Sequence, residues 1–385
     1  MIPESDTVVS CLTPVGVGAI AVLALHGQRA WSAVRVLFRP ASNKPLPEEL
    51  PEAGTIWFGH FGGDGLADEV VVTVKQTTPQ PWLEVHCHGG RQVVDWLIEL
   101  LPRYGIQPVD CAKFIRLVEP GVRADAQEGL ARAETIRTAA ILLDLVNGAM
   151  DRAWDDIRTF VETGETGAAV GRIDRLLAHA QLASHLTFPW NVVVAGAPNV
   201  GKSSLVNALA GFRRSVVAPV PGTTRDVVSV RLAIDGWPVA LSDTAGLRDE
   251  ATGLESAGVT LARSALTEAD LILWVLDSTA DPVWPDAETA ATRDPLFVVN
   301  KTDQTAAWDA SSLTGAVFVS AQSGAGIPGL CAAISNRLVP NPPSPGEAVP
   351  FPSSVHDCLK AVRRAILSNH RDEALQLLTL DRLVG

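Results

Sequence analysis

Residues 196–203 carry two glycines, a lysine and a serine at a spacing that suits phosphate chemistry. They read Gly-Ala-Pro-Asn-Val-Gly-Lys-Ser and match the pattern G-x-x-x-x-G-K-[ST]. The glycines let backbone N–H groups close around phosphate oxygens at a helix N-terminus. Lys202 can then reach the β- and γ-phosphates, and the Ser203 hydroxyl can ligate Mg²⁺. The segment predicts a nucleoside triphosphate site; a chance glycine-rich turn is the alternative.

Two further segments suit the Mg²⁺ ion and the γ-phosphate. Residues 243–246 read Asp-Thr-Ala-Gly, so Asp243 could hold Mg²⁺ through water and the Gly246 N–H could sense the γ-phosphate. Residues 221–226 read Pro-Gly-Thr-Thr-Arg-Asp, and the Thr224 hydroxyl could complete the Mg²⁺ shell. This second segment is a switch I candidate, and a polar hairpin loop is its alternative.

Residues 300–303, Asn-Lys-Thr-Asp, can recognise guanine. The Asp303 carboxylate can accept hydrogen bonds from both guanine N1–H and the exocyclic amine, a pair of donors that adenine lacks. Asn300 and Lys301 would brace this loop, and the Ala321 N–H would reach guanine O6. Four motifs in this order predict selectivity for GTP. The predicted GTP-binding residues are Asn199, Val200, Gly201, Lys202, Ser203, Ser204, Gly222, Thr223, Thr224, Asp243, Thr244, Ala245, Gly246, Asn300, Lys301, Asp303, Ser320 and Ala321.

The elements that must position these motifs alternate between strands and helices. A helix-like stretch at 204–210 follows the first motif. Apolar, strand-like runs precede the motifs at 192–194, 239–241, 296–299 and 317–319. Such alternation is typical of a parallel sheet with crossover helices. We therefore expect an α/β fold, with a P-loop GTPase domain of mostly parallel sheet over residues 189–339.

Three other segments surround this domain. Residues 1–115 contain Val-rich, strand-like runs and an amphipathic helical stretch, which predict an N-terminal α/β domain. Residues 116–188 have apolar residues at helical spacing and predict the first part of a helical domain. Residues 340–385 begin with a proline-rich linker and continue as the second part of the same helical domain. The GTPase domain is thus expected to be inserted between two helical segments that pack together.

Composition limits the partners and the compartment. The 385 residues include 31 Lys plus Arg and 43 Asp plus Glu, a net charge of -12, which disfavours nonspecific binding to a phosphate backbone. RNA contact through a local basic patch stays open. Five scattered cysteines without a C-x-x-C pair, no secretory signal and no long apolar run predict a cytoplasmic protein without a membrane span. The side chains at 86–88, His-Cys-His, alternate across a strand and cannot converge on a metal.

The chain resembles the tRNA-modification GTPase family called MnmE or TrmE. The motifs that carry the resemblance are NVGKSS at 199–204, GTTRD at 222–226, DTAGLR at 243–248, NKTD at 300–303, LEVHCHGG at 83–90 and ARAE at 131–134. The domain order is also that of the family. The resemblance implies a homodimer formed through the N-terminal domain and a one-carbon folate bound there. It also implies tRNA as the target and a FAD-containing partner, MnmG.

The resemblance also addresses how water is positioned. Leu247 follows Gly246, and leucine cannot orient water as the glutamine of Ras-like enzymes does. Something else must position the water, or hydrolysis is slow. The family contacts K⁺ through an asparagine that matches Asn199, and positions water through a glutamate that matches Glu255. Without the resemblance, Glu255 would be interpreted as a solvated helix residue.

Other positions depart from the family. The folate-contacting arginine falls on Ala24, the folate-contacting lysine falls near Gln127, with Lys113 as a possible substitute, and the glutamate is kept as Glu84. Residues 380–385 do not contain the C-x-G-K motif with which family members end. We therefore expect weak folate binding and no replacement of an intact family member.

Three hypotheses remain. The first is a tRNA-modification GTPase with degenerate folate and C-terminal sites. The second is a regulatory GTPase switch or assembly factor on the same scaffold. The third is a structural subunit that only binds GTP, which requires that Glu255 takes no part in hydrolysis.

Overall fold

The computed structural model describes residues 7–380, apart from residues 15, 17, 43, 120, 213–228, 244–263, 288–289 and 291–293. The chain divides into two compact units, one formed mainly by residues 1–124 and the other by residues 125–384. Both units contain helices and strands, which confirms the predicted α/β class. Among the described helices, none combines the length and apolar character needed to cross a membrane.

The first unit is built on a seven-stranded sheet. Its strands are β1 Thr7–Cys11, β2 Ile20–His26, β3 Phe38–Pro40, β4 Ile56–Gly63, β5 Leu66–Gln76, β6 Trp82–His88 and β7 Ile106–Pro108. Their order is β3-β4-β5-β6-β2-β1-β7, and only the pairing of β1 with β7 is parallel. The Val-rich runs predicted as strands lie within β5 and β6.

Helices cover the two faces of this sheet unequally. They are α1 Ala30–Leu37, α2 Arg91–Leu100, a 3₁₀ turn Leu101–Tyr104 and α3 Cys111–Val118. Leu97 of α2 and Val34 of α1 join the main core, packed on side chains such as Leu23 and Val85. A separate small cluster joins Phe114 of α3 to Val8 and Ala24. Ala24 is fully buried in that cluster.

The second unit contains both helical segments. Helix α4 Val122–Leu130 begins in the first unit and continues into the second. The helices that follow it are α5 Ile136–Val146, α6 Ala149–Thr163, α7 Thr166–Leu177 and α8 Ala180–Ser184. The segment predicted to be helical over 116–188 is divided into several helices. Thr135 caps α5 by accepting from the Thr138 N–H (3.3 Å), and Gly148, at φ +81°, separates α5 from α6. A polar N-cap begins a helix, and a left-handed glycine interrupts one, even where the apolar spacing continues.

The sheet of the second unit has six strands. They are β8 Trp190–Gly196, β9 Ser229–Ile234, β10 Trp237–Asp243, β11 Leu271–Asp277, β12 Leu296–Asn300 and β13 Val317–Phe318, in the order β13-β12-β11-β8-β10-β9. All neighbours are parallel except β9 and β10, which confirms the mostly parallel prediction. The helix α9 Lys202–Phe212 follows β8, and α10 Ile327–Leu338 follows β13.

The chain returns to the helical part after this sheet. Helices α11 Ser353–Leu367 and α12 Arg371–Leu380 pack against α7 and α6, respectively. Arg363 donates to Asp174 (2.7 Å), and Arg158 donates to the Leu378 carbonyl (2.9 Å). The proline-rich segment before α11 is anchored as well, since Val349 is fully buried.

The sheet and the helical part are joined at the turn between β9 and β10. Arg137 of α5 donates to both the carbonyl and the carboxylate of Asp235 (2.7 and 2.8 Å). Its guanidinium lies 4.1 Å from the centre of the Trp237 ring. Ser335 of α10 donates to the same carboxylate (3.0 Å). These contacts hold the hairpin of β9 and β10, whose strands adjoin the switch I candidate at 221–226 and the motif at 243–246.

Arg137→Ala is expected to lower the free energy of unfolding by about 1–3 kcal/mol, because a charge-assisted hydrogen-bond pair and a cation–π contact are lost. Urea titration followed by circular dichroism measures this change. Arg132→Ala is the matched control, since Arg132, in the turn after α4, forms an exposed pair with Glu128 near the end of that helix, worth about 0.5 kcal/mol or less. Equal effects of the two substitutions would contradict the role given to Arg137.

Candidate nucleotide site

The loop between β8 and α9 has a backbone that only glycine accommodates at two points. Gly196 has φ +141°, and a Cβ there would lie 2.4 Å from the Val275 carbonyl oxygen. Gly201 has φ +95°, and a Cβ there would lie 2.4 Å from the Asn300 amide nitrogen. Both glycines therefore allow a close approach of the loop to β11 and β12. This curved loop at a helix N-terminus can hold phosphate oxygens through its N–H groups.

Lys202 begins α9 and points back across this loop. Its side chain is buried, and its ammonium donates to the carbonyls of Gly196 (3.2 Å) and Ala197 (2.9 Å). The amine is therefore held at the loop, where the β- and γ-phosphates of a nucleotide would lie. Val200 is buried within the loop, while Ser204 is exposed in the first turn of α9.

Ser203 and Asp243 meet because β8 and β10 are parallel neighbours. Asp243 ends β10 opposite Val194 of β8, so both strands deliver their carboxyl ends to the same edge of the sheet. The Ser203 hydroxyl donates to the Asp243 carboxylate at 2.5 Å. A hydroxyl and a carboxylate are hard oxygen donors of the kind that Mg²⁺ prefers, so this pair fits a magnesium ion.

Asn300 connects the phosphate loop to the guanine-reading loop. It is 2% exposed. The amide nitrogen donates to the Val200 carbonyl (2.9 Å), and the amide oxygen accepts the Ala321 N–H (3.0 Å). One buried side chain therefore ties together three segments that lie far apart in the sequence.

Asn300→Ala is expected to lower the free energy of unfolding by about 2–4 kcal/mol, since it leaves a carbonyl and an N–H without their partner. The urea midpoint measures the loss. Asn300→Asp is the informative companion, because it keeps the acceptor for Ala321 but places a carboxylate against the Val200 carbonyl. A midpoint unchanged in both variants would show that Asn300 does not connect the loops.

The residues predicted to read guanine, Asp303 and Ala321, follow β12 and β13 at the same edge of the sheet. Asp303 is exposed after β12, with its carboxylate available to solvent. The Ala321 N–H is donated to Asn300, so a guanine O6 would share or replace that bond. Ser320 is fully buried and its hydroxyl accepts the Ser323 N–H (3.1 Å), which shapes the turn that holds Ala321.

Sequence reasoning missed Asp277, the last residue of β11. Its carboxylate accepts a hydrogen bond from the Lys301 ammonium at 2.6 Å. Burial would raise the pKa of Asp277, but hydrogen bonds from Lys301 and Thr279 outweigh burial and hold that pKa below its ordinary value. An acidic residue at the carboxyl end of a buried central strand was the signal available in the sequence.

Several predicted residues lie outside the described part of the chain. They are Gly222, Thr223, Thr224, Thr244, Ala245, Gly246, Leu247 and Glu255.

The positions that the resemblance links to folate lie in different settings. Ala24 and Glu84 are direct partners across β2 and β6. Glu84 is largely buried and lies 3.3 Å from His86 and 4.0 Å from Lys75. Ala24 packs with Phe114 and offers no polar group. Gln127 lies in α4.

The histidines of the His-Cys-His segment contact acidic residues rather than one another. His88 lies 2.7 Å from Asp68 through Nδ1, and His86 contacts Glu84. Burial raises the pKa of the Cys87 thiol to about 11, with contributions from Asp68 and Cys11. The described residues hold no cluster of His, Cys, Asp and Glu suited to a metal ion.

Comparisons with known proteins agree with this geometry. Residues 191–301 match the family described as 50S ribosome-binding GTPase, and residues 7–121 match that described as GTP-binding protein TrmE N-terminus. The tRNA modification GTPase MnmE of Geobacillus thermodenitrificans (strain NG80-2) is 33% identical over 342 residues, 78% of this chain and 73% of that protein. That of Maricaulis maris (strain MCS10) is 32% identical over 366 residues, 86% and 81% of the two chains.

One solved structure, the G domain of the T. maritima FeoB iron transporter, aligns with 38% of this chain and 98% of its own at 29% identity and a TM-score of 0.31. The two family matches fall on the two parts of the chain in which the motifs were found, and the curated relatives extend over most of its length. The chain therefore belongs to the MnmE family of tRNA modification GTPases and is a GTP hydrolase.

Proposed function

We propose that the chain binds GTP and Mg²⁺ along the edge formed by β8, β10, β11 and β12 and hydrolyses the nucleotide with help from K⁺. The observation that carries this proposal is the position of Asn300, which holds the phosphate loop and the guanine-reading loop together. Lys202 would contact the β- and γ-phosphates, and Asp303 would accept both donors of the guanine edge. Mg²⁺ supplies charge neutralisation at the phosphates, and its proposed ligands are Ser203, Thr224 and, through water, Asp243.

Water activation is the part of the reaction that these contacts leave open. Leu247 has no polar group to position the attacking water. We assign that task to Glu255, since the resemblance matches it to the water-positioning glutamate of the family. We assign a K⁺ contact to the Asn199 side chain. Asn199 lies in the phosphate loop, has a left-handed backbone (φ +65°) and is exposed, so a cation from solvent can approach its side chain. A cation there would offset charge that develops in the transition state.

Hydrolysis is expected to be about tenfold or more faster in KCl than in NaCl, since K⁺ held beside the phosphates would contribute more than about 1.4 kcal/mol to the transition state, while Na⁺, which is smaller and more strongly hydrated, would not occupy the same site. Glu255→Ala should lower kcat by a similar factor and leave nucleotide affinity nearly unchanged, because the group acts only on the water. Phosphate release at saturating GTP measures both effects.

Asp309→Ala is the control for this experiment, and its kcat should equal that of the wild type. It removes an exposed acidic side chain that accepts the Ser311 N–H in its own loop. Equal rates in both salts together with an inert Glu255→Ala would refute both assignments.

We further propose that GTP turnover by this chain serves tRNA modification, as the names of its curated relatives state for those proteins. A homodimer through the N-terminal unit and an MnmG-like FAD protein are the partners that this role would require. The GTP- and GDP-bound forms would then differ in how they present the chain to that partner and to tRNA.

The surroundings of Ala24 favour a second candidate function. This position is apolar and fully buried, so the folate-dependent step would lack one of its charged contacts. In this alternative, the chain is a regulatory GTPase switch or assembly factor that keeps the scaffold without the modification chemistry.

Wobble-uridine nucleoside analysis separates the two candidates. In a strain from which this gene is deleted, the first candidate predicts loss of the modified nucleoside and its return with the wild-type chain but not with Lys202→Ala. The second candidate predicts an unchanged nucleoside profile in all three strains.

A further inference from the structure

The Lys301 ammonium lies between the guanine-reading loop and the phosphate loop. It donates to the Asn199 carbonyl at 2.8 Å and to the Asp277 carboxylate at 2.6 Å. Lys301 is therefore a second link between the two loops, beside Asn300. Unlike the short amide of Asn300, its long and flexible side chain needs a fixed partner to stay in one position.

The Asp277 carboxylate is that fixed partner. Its Oδ2 atom accepts from Lys301, and its Oδ1 atom accepts both the N–H and the hydroxyl of Thr279 (2.8 and 2.7 Å). The carboxylate is largely buried, so its pairing with the ammonium is weakly screened by solvent. Together these donors hold its orientation, which in turn limits where the Lys301 ammonium can lie.

The two residues joined by the Lys301 contact have unfavourable backbones. Lys301 has φ +63° and Asn199 has φ +65°, both in the left-handed region that non-glycine residues seldom occupy. Such conformations persist where the surrounding structure fixes them. The hydrogen bond from the Lys301 ammonium to the Asn199 carbonyl is one such restraint, and its geometry depends on Asp277.

We propose that Asp277 is a positioning residue that holds Lys301 across the phosphate loop and thereby sets how long a guanine nucleotide stays bound. This inference rests on the proposed GTP site. Asp277 acts through Lys301 and contacts no reacting atom, so the quantity expected to change is the dissociation rate of the nucleotide.

The test uses the full chain loaded with a fluorescent GDP and chased with excess GDP. Asp277→Asn is expected to raise the dissociation rate about tenfold or more, because a charge-assisted hydrogen bond is lost and an amide N–H can face the ammonium. Asp309→Asn is the matched control, since Asp309 is an exposed carboxylate that accepts from Ser311 in its own loop, and its rate should equal that of the wild type.

A double-mutant cycle shows whether the effect passes through Lys301. With Lys301→Met already present, adding Asp277→Asn should change the dissociation rate by less than about twofold. A full tenfold increase in that background, or an unchanged rate in Asp277→Asn alone, would overturn the proposal. If Asp277→Asn does not fold, Thr279→Val is the substitute, because it removes one of the hydrogen bonds that orient the Asp277 carboxylate. It is expected to raise the dissociation rate about threefold. An unchanged dissociation rate in Thr279→Val would also overturn the proposal.

The outcomes also distinguish this inference from the proposed function. If the wild-type chain retains GDP no better than ADP, the proposed GTP site is wrong. If the wild type retains GDP selectively and Asp277→Asn leaves its release unchanged, only the role of Asp277 is wrong.

Discussion

Asp303→Asn is expected to weaken GTP binding by about 10²- to 10⁴-fold and to improve the binding of xanthosine nucleotides. The carboxylate would accept two hydrogen bonds from guanine, and each hydrogen bond to a charged group contributes about 1.5–3 kcal/mol. An amide can accept only one of them and presents its own N–H to the other guanine donor. Xanthine has a carbonyl where guanine has the exocyclic amine, so the same amide N–H gains a partner.

Competition titrations with GTP, XTP and ATP against a fluorescent guanine nucleotide measure this switch. Asp309→Asn, a little further along the chain, controls for the loss of one negative charge nearby. A variant Asp303→Asn that still prefers GTP over XTP by the wild-type margin would show that Asp303 does not read the base.

The second prediction with a large expected effect concerns folate binding. The purified chain is expected to bind 5-formyltetrahydrofolate about 10²-fold or more weakly than a family member with the arginine and lysine in place, because two charge-assisted contacts to carboxylate or pterin groups are missing. Ala24 offers no donor and packs with Phe114, and Gln127 carries no charge. Glu84 remains, but it already contacts His86 and Lys75.

Isothermal titration with the folate, run beside such a family member, measures the difference. Micromolar affinity in this chain would contradict the expectation and favour the tRNA-modification hypothesis. It would also make Lys113 the candidate substitute for the missing cation. Lys113 lies at the start of α3, where its backbone N–H donates to the Asp110 carboxylate.

The sequence predicts the nucleotide edge of the sheet well because its constraints are local. The phosphate loop needs glycine where a Cβ would collide with Val275 or Asn300, and those glycines are visible in the motif. The buried strands before each motif are equally local, since a continuous apolar run is typical of a parallel strand whose two faces are both covered by helices. The helix boundaries at Thr135 and Gly148 were harder to predict, because the apolar helical spacing continues across them.

The contacts that join distant segments could not be predicted in this way. Arg137 and Asp235 are 98 residues apart, and Lys301 and Asp277 are 24 apart. Charged residues of these types usually lie on the surface, so nothing in the sequence pairs them before the fold brings them together. The hydrogen bond from the Ala321 N–H to Asn300 is likewise a product of the folded loops.

The comparison of GTP with ATP as substrates tests the central claim most directly. Phosphate release by the wild-type chain in KCl and MgCl₂ should proceed with GTP, and an equal concentration of ATP should neither replace GTP as substrate nor slow its hydrolysis. Hydrolysis of ATP at the rate of GTP, or equal competition by ATP, would contradict the assignment of this edge as a guanine nucleotide site.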